Sequence, residues 1–338
     1  MNEPTPEKEI KQMWRDYRFF YRMLLYAVLI GVGVLIGRAI YAAPGVGQEW
    51  GYGVNLFTGV LSTAATVLIL DQLAERRADR KAEEALKRQL VDDAASLSHE
   101  IAINAIHQIS RKGWLEGESG ILKEADLSRV NLREARLDSA NLQKARLFGT
   151  ILEETKMNHA NLQEAHLDRA EAKEVDLSNS NLQRAYLLET DLQGADLFEA
   201  DLRGAHLRRA NLQGARLGFA NLQDADLNKA SLIDAQFYQA QLQGVDLGLA
   251  KLQGTELAYA NLQNANLSSA DLRGTNLAEA DLQNAYVIFA TFDESTILPD
   301  YSNWTPETDM RRFTDPKHPN FWRSDYDESP AYRSKSGE

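Results

Sequence analysis

The sequence of 338 residues predicts a β solenoid, a four-sided coil of short strands, preceded by a two-helix membrane hairpin and a long helical stalk. Three observations predict these parts. Leucine recurs at every fifth residue through the middle of the chain, two uncharged apolar runs lie near the N-terminus, and a stretch rich in alanine, leucine and charged residues joins the two regions. The chain therefore divides into an N-terminal membrane part and a larger repeat part.

The five-residue period runs from Leu122 to Ile297. Of its 36 positions, 30 are leucine, and the residue two places before each position is alanine in 25 units. A period of five fits neither an α-helix nor an alternating strand. One large and one small side chain therefore point inward in every unit, and Asn, Asp and Gly favour a turn after each unit. Four units close a square, in which residue n stacks on residue n−20.

Individual units identify the family that the repeat resembles. ADLSR at 125–129, ADLFE at 195–199 and ANLQN at 260–264 resemble the A-(D/N)-L-x-x signature of pentapeptide-repeat proteins, and such units cover just over half of the chain. The resemblance implies an all-β right-handed quadrilateral β-helix of about nine coils, with the leucines and small residues inside.

Two uncharged runs predict the membrane hairpin, one over residues 23–37 and one of 21 residues over 50–70. A bilayer-crossing helix needs about 20 predominantly apolar residues. Lysines and arginines lie outside both runs and are absent from the turn over residues 44–49, which places both ends in the cytoplasm. Gly33 and Gly37 form a small-xxx-small motif, which packs the first span on the second or joins two copies of the chain.

Residues 71–111 contain neither Gly nor Pro, which predicts a helical stalk that continues the second span. An apolar stripe at helical spacing must pack against a twin helix or against the next domain. Its candidate packing residues are Leu86, Leu90, Leu97 and Ile101. Because the stripe and the spans both offer helix-packing faces, we predict a homo-oligomer.

One outward face of the predicted coil carries an aromatic side chain on four successive coils. These residues, here called the aromatic column, are Phe198, Phe219, Tyr238 and Tyr259. Isolated aromatic residues are ordinary at protein surfaces, whereas an aligned group predicts a contact with an unidentified protein partner. Another face carries columns of Gln and Asn, which we interpret as structural ladders.

Signatures of catalysis are absent from the sequence. The chain has no cysteine and contains no HExxH, GxSxG or GxxxxGK[ST] motif. The sequence therefore predicts no catalytic residue, no cofactor and no metal site, and hence no enzyme. The net charge is −12, and the middle segment 121–300 holds 17 basic residues against 27 acidic ones, which argues against nucleic acid as a partner.

These arguments predict six regions. They are a cytoplasmic segment over 1–22, the hairpin over 23–70, the stalk over 71–112, a linker over 113–120, the β-helix over 121–298 and a C-terminal cap with a disordered tail over 299–338. Aromatic residues in the last region predict a cap over the final coil or, as the alternative, a recruitment motif.

The sequence thus predicts a bacterial inner-membrane protein with two spans and a cytoplasmic solenoid, whose partners are the lipid bilayer, further copies of itself and another protein. Its predicted function is that of a non-enzymatic scaffold or docking surface. One alternative is an effector that disturbs the membrane or forms a pore. The other alternative is a mimic of DNA that regulates gyrase, a role that some pentapeptide-repeat proteins have.

Overall fold

The computed structural model describes residues 50–118 and 120–332, together with Ala27 and Gly31. The chain divides into two compact units, residues 1–85 and residues 86–338. The described helices are α1 (Trp50–Ala94), α2 (His99–Arg111) and the single turn α3 (Arg311–Thr314). Between α2 and α3 the chain forms bridges of one residue each rather than long strands, and these bridges are parallel except for the antiparallel one between Ile297 and Asn303.

The bridges confirm the four-sided coil. They join residues that lie 20 apart, from Asp126 with Arg146 through to Asp271 with Thr291. The amides of most inward leucines also bond to the neighbouring coil, as when the Leu127 amide donates to the carbonyl of Arg146 at 2.7 Å. A repeat of 20 residues therefore contains four five-residue units, and equivalent side chains on successive coils lie about 4.8 Å apart.

The interior of the coil contains the residues that the five-residue period places there. The leucines and alanines at the two inward positions are buried, as are Met157 and Phe237 at leucine positions. Ala172, the smallest residue at a leucine position, is buried together with Val175. Five threonines replace the inward alanine, and each hydroxyl donates at 2.8 Å to the carbonyl of a leucine 23 residues earlier: Thr150, Thr155, Thr190, Thr255 and Thr275. Their buried hydroxyls are therefore satisfied.

The turns explain the Asn and Asp residues that precede many leucines. In the unit around Leu127, the carbonyl of Leu127 accepts from the amide of Val130 at 3.3 Å, and Arg129 has a φ of 62°. The Asp126 carboxylate accepts from the amide of Ser128 at 3.1 Å. The same contact recurs through the repeats, because a short acceptor side chain can bond the amide two residues later.

The stalk is two helices instead of one. α1 ends at Ala94 and α2 begins at His99, so the prediction of a single 41-residue helix over 71–111 is wrong. The Ser96 hydroxyl accepts from the amide of Ser98 at 3.2 Å, a local contact that competes with the helical one. Gly113, with a φ of 67°, follows the end of α2, where glycine is the residue that most readily adopts this conformation.

The two helices contribute to the core of the second unit. α2 buries Ala102, Ala105, Ile106 and Ile109, and these side chains belong to the same apolar cluster as Leu90, Leu115 and the inward leucines of the coil. The Nδ1 atom of His99 lies 3.0 Å from the carbonyl oxygen of Asn131. The apolar stripe therefore packs in part against the solenoid of its own chain.

The predicted membrane hairpin is not found. The first span falls outside the described residues apart from Ala27 and Gly31. Among the residues that the structure describes, none of the helices combines the length and hydrophobicity that a bilayer span requires. The prediction of a multi-pass inner-membrane protein is therefore corrected.

The period also shifts by one residue near its end. Thr291 bridges with Asp271 at the usual separation of 20, whereas Ile297 bridges with Asn276 at 21. The last unit therefore contains an extra residue, and Leu298 rather than Ile297 is fully buried. The Asp293 carboxylate accepts from the amide of Gly274 at 3.0 Å, which holds the longer turn on the coil before it.

The C-terminal region packs on the end of the coil. Trp304, Met310 and Trp322 lie against the apolar core, and Phe313 is buried. The structure describes the following segment as far as Tyr332, and the disordered tail stays a prediction. In this segment the Ser324 hydroxyl donates to the Glu279 carboxylate, and the Ser329 hydroxyl donates to the Glu279 carbonyl at 2.9 Å.

The inward and outward positions differ in how much a leucine contributes to stability. We expect Leu222→Ala, at a fully buried position, to lower the free energy of unfolding by about 2–5 kcal/mol. The outward Leu249 is half exposed, so Leu249→Ala should change it by less than about 0.5 kcal/mol. Urea unfolding followed by circular dichroism measures both. Equal losses would contradict the inward and outward assignment.

The cap contains an ion pair that should make its stability depend on pH. Hydrogen bonds from the Arg311 side chain and backbone lower the pKa of Asp309 to about 2. An Asp in an unfolded chain has a pKa of about 3.9, so this stabilisation is present above that value and is lost as the pH falls through about 2. We expect Asp309→Asn to lower the melting temperature at pH 7, and the difference from the unmodified protein to shrink between about pH 4 and pH 2.

Thermal unfolding followed by the fluorescence of Trp304 and Trp322 measures this change, because both residues lie in the cap. Glu307→Gln, at an exposed position in the same segment, is the control. A difference for Asp309→Asn that persists undiminished at pH 2 would contradict the assignment.

Candidate interaction surface

The four rings of the aromatic column contact one another along the outside of the coil. The ring centroids of Phe198 and Phe219 are 5.5 Å apart, those of Phe219 and Tyr238 5.8 Å, and those of Tyr238 and Tyr259 5.6 Å. All three pairs meet edge to face, the arrangement that aromatic quadrupoles favour. Phe219 is 46% and Tyr238 45% exposed, so the column presents ring surface to solvent.

The backbone of the coil positions these rings. Phe198 and Tyr238 are the second residues of their turns, and Phe219 and Tyr259 are the third residues, with φ near 60°. A side chain at position 218 would crowd the column, because a Cβ on Gly218 would lie 3.3 Å from the ring of Phe198. The glycine therefore allows the rings of neighbouring coils to interlock.

The column continues beyond the repeats through Tyr301. Its hydroxyl lies 3.5 Å from the hydroxyl of Tyr259. This hydrogen bond, followed by desolvation and by the nearby Glu279 carboxylate, raises the pKa of Tyr301 well above its ordinary value. Tyr301 is more than half exposed, so the aromatic surface extends over a fifth ring.

Polar side chains border the column. Arg216, Gln236 and Glu256 are bridged in succession on the neighbouring positions of the same face. Arg216 donates to the Asp196 carboxylate at 2.7 Å, and the Glu256 carboxylate accepts from Asn276 at 2.8 Å. An apolar centre with a polar border is the usual arrangement of a protein-interaction surface.

The Gln and Asn columns on the adjacent face bond along the axis of the coil. Gln143 donates to Gln163 at 3.1 Å, and Gln223 donates to Gln243 at 3.3 Å. Gln183 donates instead to the Asp201 carboxylate, two residues before Arg203, at 2.7 Å. Their donors and acceptors are engaged by neighbouring coils, which supports the structural interpretation.

The candidate helix-packing residues have different surroundings. Gly33 and Gly37 fall outside the described residues. Leu90 is buried and Leu86 packs partly against the core of the second unit. Leu97 and Ile101 are 75% and 47% exposed. The helix is interrupted at residues 95–98, and this interruption turns both side chains away from the stripe. Contact between chains through Leu97 and Ile101 stays a prediction.

The histidines do not form a metal site in the part of the chain that the structure describes. No group of three or more His, Asp or Glu side chains is arranged there to hold a metal ion. His166 and His206 lie two coils apart on one face, and Tyr186 is stacked between them at centroid distances of 4.5 and 5.0 Å. The ring of Tyr186 thus separates the two imidazoles.

The comparisons with known proteins agree with the geometry of the coil. The family model for pentapeptide repeats matches eight copies, over residues 122–153, 152–184, 176–214, 210–248, 250–287 and 260–296. The chain belongs to the pentapeptide-repeat family. Members of this family form right-handed quadrilateral β-helices, which agrees with the 20-residue register seen here.

Several solved structures of pentapeptide-repeat proteins are similar to this one. HetL, a protein involved in the regulation of heterocyst differentiation in the cyanobacterium Nostoc sp. strain PCC 7120, is 30% identical over 60% of this chain and 99% of its own, with a TM-score of 0.50. Rfr23 from the cyanobacterium Cyanothece 51142 is 34% identical over 30% of this chain and 63% of its own, with a TM-score of 0.16. QnrB1, a plasmid-mediated fluoroquinolone resistance protein, is 19% identical over 51% of this chain and 85% of its own, with a TM-score of 0.35. No curated protein sequence matches the chain significantly.

Sequence reasoning missed two features of the surface. Tyr301 joins the aromatic column only because the extra residue in the last unit and the turn after Leu298 bring the chain back beside Tyr259. The stack of His166, Tyr186 and His206 follows from the spacing of 20. Counting all aromatic rings at that spacing would have found it.

The contact between Tyr259 and Tyr301 can be tested by titration. We expect Tyr259→Phe to lower the pKa of Tyr301, because the Tyr259 hydroxyl is the largest cause of its elevation. NMR of the ¹³C-labelled tyrosine rings, recorded against pH, measures this value. Tyr238→Phe is the matched control and should leave Tyr301 unchanged. An unchanged pKa in Tyr259→Phe would contradict the contact.

Proposed function

We propose that this pentapeptide-repeat protein is a non-enzymatic scaffold that binds a protein partner through the aromatic column and Tyr301. The single observation that carries the proposal is the unbroken series of edge-to-face rings on the outside of the coil, where the core does not require them. Large aromatic side chains in contact with one another supply much of the binding energy at protein interfaces.

The rigidity of the coil favours binding at this surface. The amide of Phe219 donates to the carbonyl of Tyr238 at 2.9 Å, and the amide of Tyr259 donates to the carbonyl of Ala278 at 2.9 Å. The backbone under each ring is therefore fixed before a partner arrives. Fewer rotamers remain to be ordered on binding, so less conformational entropy opposes association.

The two alternative functions have less support. A mimic of DNA requires an array of exposed negative charge, whereas acidic side chains of the solenoid form ion pairs with arginines. Arg133 lies 3.0 Å from both Glu153 and Glu154, and Arg216 lies 2.7 Å from Asp196. The membrane-disturbing effector depended on the hairpin, which the described residues do not provide. We therefore keep the non-enzymatic scaffold as the proposed function.

Photo-crosslinking from the column tests the proposal. We expect p-benzoylphenylalanine at position 219 of the full chain, expressed in its native host, to give a discrete adduct with another protein. The double substitution Phe219→Ser with Tyr238→Ser should weaken binding of the crosslinked protein at least tenfold, because it removes the two most exposed rings of the four-residue column.

The matched control is Ile151→Ser with Ile233→Ser, which removes two partly exposed apolar side chains from a different face. Circular dichroism verifies that both double variants fold, and sedimentation shows whether the captured protein is a second copy of this chain. Equal binding by the two double variants, or adducts of the same pattern from positions 219 and 233, would refute the proposal.

A further inference from the structure

The face opposite the aromatic column carries a concentration of arginine in an otherwise acidic solenoid. We define the basic patch by the residues at this face on four successive coils: Arg146, Phe148, His166, Arg169, Tyr186, Leu188, His206, Arg208 and Arg209. Two carboxylates, Asp168 and Glu189, lie among its four arginines. The patch is therefore positively charged, although the segment 121–300 has ten more acidic than basic residues.

Both carboxylates within the patch are engaged by their neighbours. Glu189 lies between Arg169 and Arg209, at 3.1 Å and 3.2 Å, and hydrogen bonds from Arg209 and then Arg169 lower the pKa of Glu189. Asp168 accepts from the amide of Leu188 at 3.1 Å and lies 3.9 Å from Nδ1 of His166. Within the patch four arginines stand against these two acids, and at its borders Asp126 lies 3.3 Å from Arg146 and Asp226 lies 3.8 Å from Arg208.

The arginines remain accessible to a partner. The side chains of Arg146, Arg169, Arg208 and Arg209 are between 55% and 66% exposed. Arg208 lies 3.8 Å from Asp226, a distance that leaves much of its hydrogen-bonding capacity unused. A guanidinium group binds carboxylates through two parallel hydrogen bonds, which suits it to an anionic partner.

Exposed rings and an apolar side chain lie among these charges. The stack of His166, Tyr186 and His206 forms a ridge along the patch. Phe148 and Leu188 stand beside it, both more than a third exposed. The patch can thus contact apolar groups as well as charges, as surfaces that bind peptides do.

The extent of the patch limits what it can bind. It covers three coil steps of about 4.8 Å, roughly 14 Å in total. Asp126 borders it at one end, and Asp226 and Asp246 border it at the other. Nucleic-acid backbone would extend past these carboxylates and be repelled. An extended peptide rises by about 3.3 Å per residue, so about four or five residues match the length.

We propose that the basic patch binds an acidic segment of a partner protein, with its carboxylates against Arg208 and Arg209 and an apolar side chain against Tyr186. This inference goes beyond the role of the aromatic column and does not depend on it, because the two surfaces lie on opposite sides of the coil. One chain could therefore hold two different protein segments.

Fluorescence anisotropy with the full-length protein tests the proposal. The probe is a fluorescein-labelled peptide of six glutamates and one tryptophan, and the reference peptide has glutamines in place of the glutamates. We expect the acidic peptide to bind at least tenfold more tightly than the reference, and its affinity to fall as salt is raised from 50 to 250 mM because the contacts are exposed.

Charge-reversal variants locate the binding. Arg208→Glu with Arg209→Glu should weaken binding of the acidic peptide at least tenfold. The matched control, Arg136→Glu with Lys156→Glu, makes the same change in net charge on the face of the aromatic column and should weaken it less than twofold. Glutamate occurs at turn positions such as Glu189 and Glu199 with φ of 57°, and at bridge positions such as Glu171 and Glu256. Both double variants should therefore fold, which circular dichroism verifies.

Three results would overturn the inference. They are equal binding of the acidic and neutral peptides, equal losses in the two double variants, and tighter binding of a 20-nucleotide single-stranded DNA than of the acidic peptide at the same salt concentration. The last result would assign the patch to nucleic acid. A failure of the aromatic-column variants to affect their own partner leaves these measurements unaffected.

Discussion

The architecture of this protein depends on the backbone hydrogen bonds that join each coil to the next. The amide of Leu127 donates forward to Arg146, and the amide of Arg146 donates back to Ala125 at 2.9 Å. These bonds form only if one leucine and one small residue in each unit share the interior, where burial of each leucine contributes about 1.5–3 kcal/mol. Outward side chains take no part in either interaction. The faces can therefore carry rings, amides or charges without loss of the fold.

The same stacking exposes an apolar surface at each end of the coil, since every coil buries its interior only against its neighbours. At the N-terminal end, Ile106 and Ile109 of α2 join the core. At the C-terminal end, Phe292 and Trp304 stack at a centroid distance of 5.9 Å, and Phe313 lies buried beside Trp322. The ends thus use helices and aromatic rings in place of the repeat, and they are also where the register changes.

Stacking also determines how charge is arranged on the faces. Side chains on successive coils lie about 4.8 Å apart, so a column of like charge would repel itself. Along the column formed by Arg169, Glu189 and Arg209 the sign of the charge alternates, and both arginines bond to the Glu189 carboxylate. On the opposite face uncharged rings fill the equivalent column and meet edge to face. The alternating charges of the basic patch and the uncharged rings of the aromatic column therefore both avoid repulsion between like charges on successive coils.

The amino-acid sequence was sufficient to determine the coil, its register over most of its length, its buried residues and the alignment of Phe198 through Tyr259, because all of these follow from a period that repeats locally. Other features are not contained in the local pattern of the sequence and depend on the tertiary structure. The extra residue that exchanges Ile297 for Leu298 and the approach of Tyr301 to Tyr259 depend on contacts between residues distant in the chain. The predicted membrane hairpin has no counterpart among the residues that the structure describes, where no helix is long and apolar enough to span a bilayer. Within a repeat, the neighbours of each residue follow from the fixed spacing. The structure of an end or a cap depends instead on which apolar surface remains to be covered.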